Sequence, residues 1–139
     1  MIFFNGLSHL SESINYDWQT EILPAGTFVY NATDTTDDVV KIVDKSDNII
    51  KTFNNMIELW REATGNFDNI KCCNKLCKRT DFKDIVGAHV VLEKENTELF
   101  PGDSVYIIPI CRSCNNAFSP NTIILKHDVI AIKLFWLGK

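Results

Sequence analysis

Four of the five cysteines in this 139-residue chain form two close pairs, Cys72 with Cys77 and Cys111 with Cys114. The pairs are separated by 33 residues, positions 78–110. Each pair can make a small knuckle with both sulfurs pointing one way. Two knuckles brought together supply the tetrahedral thiolate set that zinc prefers in closed structural sites. The same residues could instead form two disulfides or remain buried thiols. Disulfides need an oxidising compartment. The opening Met1-Ile2-Phe3-Phe4-Asn5-Gly6 is apolar but lacks the basic n-region of a secretory signal. A cytoplasmic, reducing location is therefore expected, and it favours metal. No apolar run reaches membrane-spanning length.

The net charge of −4 conceals an asymmetry. Residues 1–70 carry 11 acids against 4 bases, whereas residues 71–139 carry 10 bases against 7 acids. The sign changes where the cysteines begin. Two units are expected, an acidic N-terminal unit over 1–69 and a metal-bound module over 70–139. Lys71, Lys75, Lys78, Arg79 and Lys83 form a basic cluster that suits phosphate contacts, or equally offsets the negative charge of a thiolate site.

The pattern of residues suggests the elements. Ile14 to Trp18 and Ile22-Leu23 suggest a short docking element closed by Pro24-Ala25-Gly26, and Thr27 to Tyr30 reads as a strand. Val39 to Asp44, a turn at Lys45-Ser46-Asp47-Asn48, and Ile49 to Phe53 read as a β-hairpin. Asn54 or Asn55 can cap a helix carrying Met56, Leu59, Trp60 and Ala63 on one face and closed by Gly65. Within the second unit, Ile85 to Leu92 and Val105 to Ile110 read as strands joined by a charged loop. A short helix over Asn115 to Phe118 follows, stopped by Pro120. The tail from Thr122 to Leu137 reads as a closing hairpin with Ile124, Ile130, Leu134 and Trp136 in the core.

Three segments together resemble the HNH endonuclease family: Cys72-Cys73-Asn74-Lys75-Leu76-Cys77, then Gly87-Ala88-His89-Val90, then Ile110-Cys111-Arg112-Ser113-Cys114-Asn115. The likeness spans about residues 71–118. It implies a ββα-metal core embedded in a zinc-bound treble-clef scaffold, and it supports Cys72 over Cys73 as the first ligand, although a three-residue gap to Cys77 is also physically feasible. It places His89 at the general base, which would activate water beside a single divalent ion such as Mg2+. The chain departs from the family at the metal-binding position before the histidine, where Ala88 has no ligand atom. On the short helix only Asn115 or Asn116 could approach such a metal. His89 has an alternative role, packing behind the zinc site with a hydrogen bond to a backbone carbonyl. His9 and His127 have no acidic or thiol partner at ligand spacing.

The expected fold is α+β, a zinc-bound HNH-like ββα/treble-clef module with an N-terminal β-hairpin–helix unit. The expected function is binding, to a protein partner or DNA, by a zinc-stabilised scaffold whose catalytic site is degenerate. The alternative is an active metal-dependent endonuclease using His89. The size and two-part build suit a phage or mobile-element protein.

Overall fold

The computed structural model describes residues 2–4, 19–33, 39–43, 46, 48–77, 84–115 and 122–136. The expected elements over 14–18 and 116–118, His9, and the basic residues 78, 79 and 83 lie outside the described residues. The architecture is α+β and mostly strand. Nine strands are present among the described residues: β1 (Ile2–Phe4), β2 (Thr20–Leu23), β3 (Phe28–Asn31), β4 (Val40–Val43), β5 (Ile49–Phe53), β6 (Ile85–Val91), β7 (Ser104–Cys111), β8 (Thr122–Ile124) and β9 (Val129–Trp136). Two helices accompany them, α1 (Met56–Thr64) and the single turn α2 (Arg112–Asn115). Neither is long and apolar enough to cross a membrane.

Local chemistry explains the clearest elements. The Asn55 side chain accepts hydrogen bonds from the Ile57 and Glu58 amides and so starts α1. Gly65 ends it at φ 71, a left-handed conformation that costs glycine little. The β-branched run before α1 forms the β4–β5 hairpin, with a register shift at Ile42/Val43.

All nine strands join one sheet in the order β5-β4-β1-β9-β7-β6-β3-β8, with β2 also paired to β9. The pairing is antiparallel except for β1 beside β4. Strands from before residue 69 hydrogen-bond directly to strands after it. Thus β3 lies between β6 and β8, and β2 pairs with β9. The tail departs from the expected hairpin. β8 pairs with β3, whereas β9 pairs with β7, β1 and β2. The polar Lys126-His127-Asp128 link carries the chain to another part of the sheet. Leu134 is buried as expected, but Ile130 is 44% exposed.

Side chains alternate across the central strands and fill two apolar layers. Ile107, Ile132 and Leu134 pack with Met56, Leu59 and Trp60 of α1 on one face. Ala88, Val90, Tyr106, Ile108 and Ala131 pack on the other, with Cys72, Cys73 and Cys111. His89 is paired with Ile107 across the β6–β7 ladder. Strand alternation therefore sets it on the α1 face, opposite Ala88 and Val90. The backbone of α1 approaches β6 closely at Gly87, where a Cβ would lie 2.5 Å from the Met56 carbonyl carbon.

Candidate metal centre

The open end of the β6–β7 hairpin gathers the four paired cysteines. Cys72 and Cys77 flank a tight turn ahead of β6, Cys111 ends β7, and Cys114 lies on α2. Their sulfurs all lie within 4.8 Å of one another. The Cys72 and Cys114 sulfurs are 3.8 Å apart, and those of Cys77 and Cys111 are 3.7 Å apart. A zinc ion with Zn–S bonds of about 2.3 Å has a tetrahedral S···S edge of about 3.8 Å. These two separations match that edge, far beyond the S–S bond of about 2.05 Å in a disulfide. All five cysteines are free thiols. Cys73 is buried beside the cluster but stands outside it, and Cys72 is the member of that adjacent pair whose sulfur lies among the four.

The knuckle is built by hydrogen bonds. The Cys77 amide donates to the Asn74 carbonyl, closing the turn at 3.0 Å. Lys75 donates its amide to the Ile124 carbonyl, Lys126 donates its own to the Cys73 carbonyl, and the Cys73 amide donates to the Pro109 carbonyl. The turn is thereby tied to both β7 and the β8 end. At the other wall, the Arg112 amide donates to the carbonyl of Asp84, whose φ is 58. α2 begins at once after Cys111, three residues earlier than the helix expected at Asn115. This single turn brings Cys111 and Cys114, three apart, onto one side.

Two asparagines that composition and spacing did not single out complete the centre. Asn74 is buried, and its Nδ2 lies 3.4 Å from the Cys114 sulfur. Its Oδ1 accepts from the Leu76 and Ile124 amides, so one side chain orients a ligand and pins the knuckle. From β3, Asn31 Nδ2 donates to the Cys114 carbonyl at 3.3 Å. The position of Asn74 between the knuckle cysteines was a readable turn signal. Asn31 is 41 positions before Cys72, and only the sheet brings it there.

The thiols differ in acidity. Burial pushes Cys72 up against hydrogen bonds from the Cys111 and Asn74 backbones, and it pushes Cys114 up against the Asn74 side chain, reinforced by the neighbouring Cys111 and Cys72. Burial also acts to raise Cys111, but hydrogen bonds from the Cys114 backbone and from the Cys114, Cys77 and Cys72 thiols outweigh it and hold that thiol below its ordinary value. Thiols give up their protons as a cation takes their place, so metal uptake releases protons. Cys73 is pushed up to about 12 by burial and by the charge of Cys72, and it stays a thiol.

His89 and Ala88, adjacent in sequence, lie on opposite faces of the sheet. Ala88 is 1% exposed on the cysteine face, and His89 is 7% exposed on the α1 face. Asn115 is half-buried at the end of α2. His127 is exposed, with Nδ1 2.9 Å from the Asp128 carbonyl oxygen. The arrangement can hold a structural metal through Cys72, Cys77, Cys111 and Cys114, with zinc the best match to four thiolates. Comparison with known proteins returns no match, whether to a family model, a curated protein or a solved structure.

Proposed function

We propose that the chain is a zinc-stabilised protein that works by binding, on an HNH-like treble-clef scaffold whose catalytic site is degenerate. The order of knuckle, hairpin and helical turn around the four sulfurs supports the scaffold reading. The burial of His89 is the observation that carries the rest. A general base must come within hydrogen-bond reach of its water. His89 is 7% exposed on the α1 face. The preceding residue, Ala88, has no side-chain atom to hold a divalent ion there. In this reading zinc locks the knuckle to the hairpin, and its binding energy is folding energy.

The partner is a protein or DNA. Exposed Lys71, Lys75, Arg112 and Lys126 surround the cluster, and Leu76 at the knuckle tip is 59% exposed. These groups give a contact surface of mixed cationic and apolar character. The decisive experiment is a plasmid-nicking assay with Mg2+, Mn2+ and Ni2+, on the wild type beside His89→Ala. Cleavage at background in both is expected. Wild-type cleavage that disappears in His89→Ala would overturn the reading in favour of a metal-dependent nuclease with His89 as base, and Asn115→Ala would then test the one helix residue able to approach its metal.

A further inference from the structure

A cavity of about 310 Å³ opens between the last turn of α1, the segment leading to the knuckle, and the link from β8 to β9. It contains none of the four clustered cysteines. Its volume falls at the lower end of the range for small-molecule sites, about 300–1,000 Å³. Trp60, Ile70, Pro109 and Ile130 supply an apolar lining. The Trp60 indole N–H is already satisfied by the Ile130 carbonyl at 2.7 Å. The wall thus presents ring and aliphatic surface with no unmet donor from the indole.

The polar lining comes from Thr64, Asn66, Cys73, His127 and Asp128, of which Asn66, His127 and Asp128 are exposed. Asp128 is exposed and lines the cavity, with Oδ1 held by the Ala25 amide at 2.9 Å. That bond fixes the carboxylate while leaving its charge available to a ligand. The C-terminal turn of α1 reaches the same cavity through Thr64, and the partial negative charge of that helix end is offset by Arg61 on the same turn, whose guanidinium donates to the Asn66 and Asp68 carbonyls. Thr64 and Asn66 are engaged with one another, and the Thr64 hydroxyl donates to the Trp60 carbonyl. Lys71 and Lys126, adjacent in sequence to lining residues, are not among those that line the cavity. An apolar pocket with a fixed carboxylate at its mouth complements an apolar ring bearing a cation.

We infer that this cavity is a binding site for a small aromatic amine, its ring against Trp60, Ile70 and Pro109 and its ammonium at Asp128. The test is an amide and indole NMR titration of the zinc-loaded full chain with phenethylamine, phenethyl alcohol and hydrocinnamate. Phenethylamine shifts the Trp60 indole and Ile130 amide signals and binds about tenfold more tightly than the alcohol, the contribution of one charge-assisted hydrogen bond. Hydrocinnamate binds more weakly than either. Asp128→Asn keeps the acceptor for Ala25 and removes the amine's advantage over the alcohol. Ile130→Arg, at a half-exposed position, abolishes binding while leaving the remaining signals in place. The inference is overturned by phenethylamine leaving the Trp60 and Ile130 signals unmoved, by equal binding of amine and alcohol, or by an Asp128→Asn protein that retains the preference.

Discussion

Replacing Gly87 by alanine tests how α1 is seated on the sheet. Gly87 is not among the glycines with positive φ, so its reason is space rather than dihedral freedom. A Cβ there would lie 2.5 Å from the Met56 carbonyl carbon, 2.7 Å from the Ile57 nitrogen and 2.7 Å from the Met56 Cβ. Carbon atoms in good contact sit about 3.5–4.0 Å apart, so the start of α1 must retreat by roughly 1 Å. The obstruction is mostly backbone and cannot rotate away. Overpacking of a core costs about 1–3 kcal/mol, and the rigid obstruction puts this case near the upper end. Retreat also loosens the packing of Met56, Leu59 and Trp60, the buried residues of α1, against the sheet. Urea unfolding of zinc-loaded wild type and Gly87→Ala should therefore show a loss of about 2–3 kcal/mol. Zinc content should stay at one per chain, because the cysteine cluster packs with Ala88 and Val90 on the other face. A loss below about 0.5 kcal/mol, within the ordinary surface range, would refute the close approach. So would release of zinc with α1 still stably docked.

Other perturbations read the centre and the core. Cys111→Ser and Cys114→Ser should each lose zinc by elemental analysis and abolish soluble folding. Cys73→Ser should retain one zinc and cost about 1–3 kcal/mol for a buried hydroxyl; zinc loss from Cys73→Ser but not from Cys72→Ser would reverse the ligand assignment. Asn74→Ala removes the amide beside the Cys114 sulfur, and zinc affinity measured against a competing chelator should fall about 10–100-fold. The Tyr106 phenol is pushed up to about 12 by burial and by its hydrogen bond to Glu21. Because the folded state holds that proton more tightly than an unfolded tyrosine at about 10, the associated stability is full below pH 10 and is lost as pH rises from about 10 to about 12. Unfolding titrations should show that alkaline loss in the wild type and not in Tyr106→Phe.

Sequence alone determined what depends on near neighbours. The spacing of Cys72, Cys77, Cys111 and Cys114 pointed to a four-thiol cluster because each close pair can close a knuckle with both sulfurs on one side. The β4–β5 hairpin, α1 with its Asn55 and Gly65 ends, and the β6–β7 strands were legible because periodicity and capping are local. Tertiary structure decided what depends on distant partners. The Cys72–Cys73 choice required the sulfur positions, since either residue satisfies the spacing. The side taken by His89 followed from the β6–β7 register, which flips with a shift of one residue. Asn31 reached Cys114 only because β3 entered the sheet between β6 and β8. The tail looked like a hairpin because two apolar runs flank a polar link, a pattern that does not record which strand each run joins. That choice belonged to the long-range hydrogen bonds of β9, which took β7, β1 and β2 as neighbours and left β8 to β3.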